Sequence, residues 1–305
     1  MKTGWHKYFI YFSLIFLIVV LYKADYLEIP RIHSPGSLFL AFVCLLGGFL
    51  SNTLAQQRLL EKHSFHIGVR QALAMEGLNI FSKYIPGKVW MIMGKAMYLA
   101  DKKKYPAGEL SLLFLHVHVV ALWCGLLLGI CGLWMNDALH LLSWMGLGVL
   151  GLFTLMLLSK TVYNLFLIPV NKVLKKNYHL PDLDFAKSMV LIPWLLGGWI
   201  LWGCGFFFLA ASITNQVFPF SIIFCFPLAG TLGILFVFAP GGIGIREGII
   251  TGYLMLLNIS LPVAIMVSAS SRLWFLAGEF FLFISGYLLS RREDGRLASR
   301  KQIKP

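Results

Sequence analysis

Charge is scarce in this sequence. Of its 305 residues, 13% are Asp, Glu, Lys or Arg, against about 25% in soluble domains. Acids are the scarcest, 13 in all. Long polar segments are missing too, which leaves no room for a sizeable soluble catalytic domain. Cysteine is limited to Cys44, Cys124, Cys131, Cys204 and Cys225, each inside an apolar run and none in a CxxC pair. That argues against a disulfide framework or a thiolate metal centre, because lone thiols in such runs act as small apolar residues. Also missing are G-x-S-x-G, a Walker loop, H-E-x-x-H and an aspartate-rich Mg²⁺ motif. The chain is therefore expected to be no enzyme, to hold no metal and to need no cofactor.

Apolar residues are what the chain has in abundance. They make up 58% of it, and the mean hydropathy is +0.78. A membrane-spanning helix takes about 20 apolar residues. Runs suited to that lie at 8–22, 37–57, 107–134, 141–160, 186–213 and 262–289. The expected fold is an all-α polytopic membrane protein, one membrane domain over 1–305. Lys2 and Lys7 precede the first run as in a signal peptide. Its only plausible cleavage site, after Ala24, places Tyr22 where a small residue is required, so 8–22 is read as an uncleaved helix. No lipidation motif is evident. Lys and Arg total 26, giving a net charge of +13. In a soluble protein that balance suggests nucleic acid. Here the basic residues fall between apolar runs, as membrane topology demands, and no nucleic-acid partner is expected.

Two regions break the pattern. Residues 64–101 interleave Leu73, Leu78, Ile80, Phe81, Tyr84 and Ile85 with Arg70, Glu76 and Lys83, and are cut at Pro86-Gly87. Residues 218–257 are apolar and cut at Ala239-Pro240-Gly241-Gly242. In hydrocarbon a broken helix is tolerated only where the freed backbone groups line a cavity or are buried in protein. The two cuts match as P-G-x6-G, ending at Gly94 and Gly248, 154 residues apart. Leu45-Leu46-Gly47-Gly48 returns as Leu195-Leu196-Gly197-Gly198, 150 residues on. A duplicated unit is expected, with repeat 1 over 37–134 and repeat 2 over 186–289, followed by a basic cytoplasmic tail at 290–305.

With the N-terminus inside and both broken regions re-entrant, about six helices span and the repeats run in opposite directions. The outer loops then hold only Lys23 and Arg31. The cytoplasmic side holds the Lys102-Lys103-Lys104 run and Arg291, Arg292, Arg296, Arg300, Lys301 and Lys304. Segment 218–238 is also long enough to span fully, which would change the outer half of this scheme. Inverted repeats with broken helices mark transporters whose site lies near the breaks. The expected location is a bacterial cytoplasmic (inner) membrane, multi-pass, with both termini cytoplasmic.

The run Ala239-Pro240-Gly241-Gly242-Ile243-Gly244-Ile245-Arg246-Glu247 carries the most chemistry. A helix starting after the glycines points unpaired N–H groups and a positive dipole end at the break, which suits phosphate. Arg246 adds a planar donor set. The alternative is packing, since Gly241, Gly244, Gly248 and Gly252 share a face that suits close helix contact. Arg272 lies about ten residues into the last run, about 15 Å deep at 1.5 Å per residue, with Glu279 on nearly the same face. A charge at that depth needs a partner, and Glu247 is the natural one. Either the pair is purely structural, or Arg246 and Arg272 hold an anionic headgroup that Glu247 and Glu279 help to orient. Lys83, Lys88 and Lys95 flank Pro86-Gly87 and either hold phosphate or snorkel from an interfacial helix. His116 and His118 point to different helix faces, so a shared metal is not expected.

Tyr84-Ile85-Pro86-Gly87-Lys88-Val89-Trp90, Pro240-Gly241-Gly242-Ile243-Gly244-Ile245-Arg246-Glu247 and Arg272 together resemble the lysylphosphatidylglycerol synthase transmembrane-region family, over roughly 40–289. The resemblance implies a flippase-like membrane region of the kind that moves aminoacylated phosphatidylglycerol between leaflets. Stand-alone members occur with glycosyltransferases or polyprenyl-linked sugar pathways. The synthase's soluble aminoacyl-transfer domain is not expected in this chain, so it is not expected to make lysyl-lipid. The motif carries a substrate-binding role to Pro240, Gly241, Gly242, Glu247 and Arg272, and more loosely to Pro86, Gly87 and Lys88. Arg246 and Glu279 are assigned from their own chemistry.

The leading expectation is a translocase for an anionic phospholipid or a polyprenyl-phosphate-linked lipid. The alternative is a non-transporting scaffold that presents lipid to a separate glycosyltransferase or synthase. The spacings Gly125/Gly129 and Gly248/Gly252 permit a homodimer.

Overall fold

The computed structural model describes residues 31–85, 89–136, 140–159, 161, 162, 165, 188–214, 216–236 and 240–302. Among them the ordered elements are helices, with no strands. Helix α1 (Pro35–Lys62) starts with Pro35, whose missing N–H costs nothing at the first helical position, and with Ser34, whose Oγ accepts the Ser37 N–H at 3.3 Å. The chain then turns through Ser64 into α2 (Val69–Asn79), which tightens into a 3₁₀ turn at Ile80–Tyr84. After the first break come α3 (Val89–Lys103), α4 (Ala107–Met135) and α5 (His140–Leu158). The second half begins with α6 (Ile192–Ile213). A 3₁₀ turn at Phe220–Phe224 leads into α7 (Cys225–Leu235), and another at Pro240–Gly242 forms the second break. Then follow α8 (Ile245–Leu256) and α9 (Leu261–Gln302), which runs on through the basic tail.

Four helical stretches are long and apolar enough to span: α1, α4, α6 and Leu261–Arg292 of α9. The apolar parts of α5 (Ser143–Leu158) and of Phe220–Leu235 are shorter. The run 8–22 lies outside the described residues. The run 186–213 is helical without interruption only from Ile192, where Pro193 falls in the first turn and needs no hydrogen-bond acceptor.

The two glycine-pair motifs meet. Helix α1 packs along α6, and a Cβ added at Gly198 would sit 3.4 Å from the Gly48 carbonyl oxygen. Trp202 Nε1 donates to the Leu45 carbonyl at 3.2 Å, and Ser51 Oγ donates to the Trp194 carbonyl at 2.6 Å. Small residues let the two backbones approach closely in a setting where packing and hydrogen bonds hold helices together. A Cβ at Gly48 would land on the Trp202 indole. Gly48→Val should therefore cost about 1–3 kcal/mol by overpacking, read as a lower midpoint of thermal unfolding in detergent. An unchanged midpoint would mean that this crossing yields easily.

Helix α9 crosses α2 as closely, since a Cβ at Gly286 would lie 3.0 Å from Gly77 Cα. Between these crossings sits an aromatic core. Phe49 meets Trp202 edge-on and Phe275 at a tilt, at centroid distances of 5.4 and 5.1 Å, and Phe226 meets Trp274 and Phe275 at 5.7 and 5.5 Å. Large apolar side chains also face outward, among them Phe39, Val43 and Leu50 on α1 and Phe281, Ile284 and Leu288 on α9. A contiguous apolar exterior of this kind fits a lipid surround.

Candidate functional site

The second break is built from glycines in backbone states that side chains disfavour. Gly241 has φ 59° and Gly244 has φ 82°, a left-handed region that glycine enters without penalty. Gly244 also opens α8, and its N–H donates to Glu247 Oε2 at 2.7 Å, so the glutamate caps the helix it stands on. Arg272 secures the loop from α9. Its Nη1 donates to the Gly241 carbonyl at 3.0 Å and lies 3.8 Å from Glu247 Oε1, the pairing that the sequence suggests.

The segment leading into the first break reaches the same place. The Tyr84 ring lies where a side chain at Gly241 would otherwise go, and the Arg272 guanidinium sits 5.2 Å from that ring's centre. Tyr84 Oη donates to Glu279 Oε2 at 2.8 Å, and Lys83 Nζ pairs with Glu279 Oε1. Glu279 is fully buried. It stands two helical turns from Arg272, about 10.5 Å along α9. It therefore serves the first break while Arg272 serves the second. Tyr84 and Lys83 are thus its hydrogen-bonded partners.

Arg246 is held differently. It is 7% exposed, and its guanidinium lies over Phe226 and Phe275 at 4.3 and 4.8 Å from their centres. Ring faces hold a guanidinium by cation–π attraction without occupying its N–H groups. Its Nε and Nη2 have no hydrogen-bond partner among the described residues. Arg246 also lies within electrostatic reach of Arg272, Glu247 and Glu279, as Lys83 does of both arginines. Among the described residues the cluster thus holds Lys83, Arg246 and Arg272 against Glu247 and Glu279, a surplus of one positive charge. The N-terminus of α8 adds to that potential.

Several sequence expectations need correction. Lys95 does not join this cluster. It is 1% exposed and pairs with Glu76 Oε2 at 2.7 Å, while Gln56 bridges the two, donating to Glu76 at 2.8 Å and accepting from Lys95 at 3.1 Å. A buried ammonium in a membrane domain needs a carboxylate more than an interface, and α2 supplies one. Of the glycine face, Gly241 packs against Tyr84, whereas among the described residues nothing lies within 4 Å of a Cβ at Gly244, Gly248 or Gly252. Gly242 does pack, its Cβ position falling 3.2 Å from Gly233 Cα. Gly125 and Gly129 are covered within the chain, by Thr231 and Trp199 and by Leu228, so that spacing offers no surface for a homodimer.

Pro86, Gly87 and Lys88 lie outside the described residues. Pro240 lies in the 3₁₀ turn of the second break. His116 Nε2 pairs with Ser188 Oγ at 2.8 Å, and His118 Nδ1 with the Phe114 carbonyl at 2.7 Å. No group of side chains able to hold a metal occurs among the described residues. Sequence reasoning missed Tyr84, Phe226 and Phe275 as parts of the site and Gln56 and Glu76 as partners of Lys95. Tyr84 carried the one usable signal, its place two residues before Pro86.

Comparison with curated proteins and with solved structures gave no match. The family model described as the lysylphosphatidylglycerol synthase TM region matches residues 7–286. The two breaks and the arginine of α9 thus lie within a membrane domain of known kind, and the chain belongs to the lysylphosphatidylglycerol synthase TM region family.

Proposed function

We propose that this chain is a lipid translocase, not an enzyme, and that it carries a phosphate-bearing anionic lipid across a bacterial cytoplasmic membrane. The headgroup would sit between the two breaks, against Arg246 and the N-terminus of α8, while the acyl chains stay in the bilayer. The observation that carries this reading is Arg246, buried and held by ring faces, with Nε and Nη2 unbonded. An orphaned buried guanidinium is costly. A phosphate oxygen is the acceptor that fits its donors.

The order of elements supports an inverted repeat. A long helix, two short segments around a break and a long helix occur once from α1 to α4 and again from α6 to α9. We read these as repeats 1 and 2 in opposite orientation, with both termini cytoplasmic and the breaks re-entrant. Transporters built this way place their site where broken helices meet. The driving force would be a gradient, the membrane potential, or the lipid distribution itself.

Translocation of a fluorescent phosphatidylglycerol or polyprenyl phosphate in proteoliposomes tests the reading. Wild-type protein should speed transfer well above empty vesicles, and Arg246→Gln should lose at least about tenfold, since each tenfold corresponds to only about 1.4 kcal/mol. Transfer no faster than in empty vesicles would overturn the reading.

A further inference from the structure

We propose that Glu247 takes up a proton when the anionic headgroup binds, so that lipid and proton occupy the site together. This rests on the translocase reading and deepens it by naming the coupling ion. The carboxylate and the headgroup claim one place. Glu247 Oε2 accepts the Gly244 N–H at 2.7 Å, which sets the carboxylate on the N-terminus of α8, the end of a helix that attracts anions. A phosphate against Arg246 and that terminus brings a second anion to it.

The two oxygens of Glu247 are not alike. Oε2 is bonded. Oε1 is buried without a hydrogen-bond partner among the described residues, and its ion-pair partner Arg272 Nη1 stands 3.8 Å away. On the adjacent residue, Nε and Nη2 of Arg246 lack partners too. Those donors suit a phosphate, whereas Oε1 is an acceptor and opposes one. Like charges in a desolvated site are strongly unfavourable. A proton on Oε1 turns the acceptor into a donor and removes one of the two like charges. The charged and titratable groups about Glu247 are Arg246 on its own helix, Arg272 and Glu279 on α9, Lys83 and Tyr84 ahead of the first break, and Cys225 on α7. Glu279 already holds Lys83 and Tyr84, which leaves Glu247 as the acid beside the orphaned donors. The proton comes from water on the side where the lipid enters and returns to water where it leaves. A cycle thus moves a monoanionic lipid with no net charge.

Calorimetric titration of the full chain in detergent with a short-chain phosphatidylglycerol tests this. Its phosphodiester stays a monoanion throughout, so any pH dependence belongs to the protein. Wild-type affinity should be at least about tenfold higher at about pH 5.5 than at about pH 8, because a complex that holds an extra proton gains as pH falls. Glu247→Gln keeps a side-chain oxygen for the Gly244 N–H and should lose this dependence. Titration in buffers of different ionisation heat should count up to about one proton taken up per lipid by the wild type, a readout that stands even where the variant fails to fold. Wild-type affinity that is independent of pH, no binding at either pH, or a Gln variant with the wild-type dependence would overturn the inference. Proton-linked binding with no transfer in proteoliposomes would leave it standing and overturn the translocase reading instead.

Discussion

Arg272→Ala is expected to abolish lipid translocation while the chain still inserts in the membrane. The guanidinium does three things at once. It donates to the Gly241 carbonyl, pairs with Glu247 and covers the Tyr84 ring. Removing it frees the second break from its anchor and uncovers Tyr84, the residue that leads toward the first. Transfer in proteoliposomes should fall by at least about 100-fold, about 2.8 kcal/mol at 1.4 kcal/mol per decade. Arg272→Lys should recover only part of this, because an ammonium keeps the charge and loses the planar fork. Glu247 retains its bond from the Gly244 N–H, so α8 should remain capped and the protein should still purify as a folded monodisperse species. Wild-type transfer by Arg272→Ala would reduce Arg272 to a structural residue.

The second large effect is on stability. Lys95→Met should destabilise the protein by about 3–5 kcal/mol, the usual cost of leaving one member of a buried ion pair alone. Glu76 would then keep only Gln56 as a donor, in a site where Glu76 is 7% exposed and Lys95 1% exposed. The double variant Glu76→Gln/Lys95→Met should recover most of that loss, because removing both charges removes the desolvation cost as well. Denaturant unfolding in detergent measures both, and with the single Glu76→Gln added the set forms a double-mutant cycle. A double variant no more stable than the single would show that the pair is not what holds α2 and α3 together.

The two effects separate the molecule's polar centres. The Gln56–Glu76–Lys95 network balances its own charge and joins α1, α2 and α3. The cluster at the breaks does not balance among the described residues, and its unbonded donors belong to Arg246. A buried polar network that is fully satisfied stiffens a fold, whereas unsatisfied buried groups call for an explanation, a bound group among them. That contrast supports a structural role for the first centre and is the ground on which binding is proposed for the second.

Sequence alone determined the class of protein, the place of both breaks and the Arg272–Glu247 pair. Each of these is local or one-dimensional. Apolar runs report spans, Pro-Gly cuts report breaks, and a charge deep in an apolar helix demands a partner from a short list of acids. The glycine-pair motifs were visible as a repeat, and only packing showed that Gly48 and Gly198 face each other. Tertiary structure alone decided which carboxylate each lysine met. Lys83 and Lys95 look equivalent in sequence, each a lysine beside Pro86-Gly87. Their partners, Glu279 and Glu76, lie 196 and 19 residues away. The choice followed from α9 passing the first break and α2 passing α3. The rings under Arg246 were equally invisible, because Phe226 and Phe275 read as ordinary membrane aromatics until α7 and α9 brought their faces to one guanidinium. Pairing across the fold depends on where helices cross, and periodicity along one helix carries no record of that.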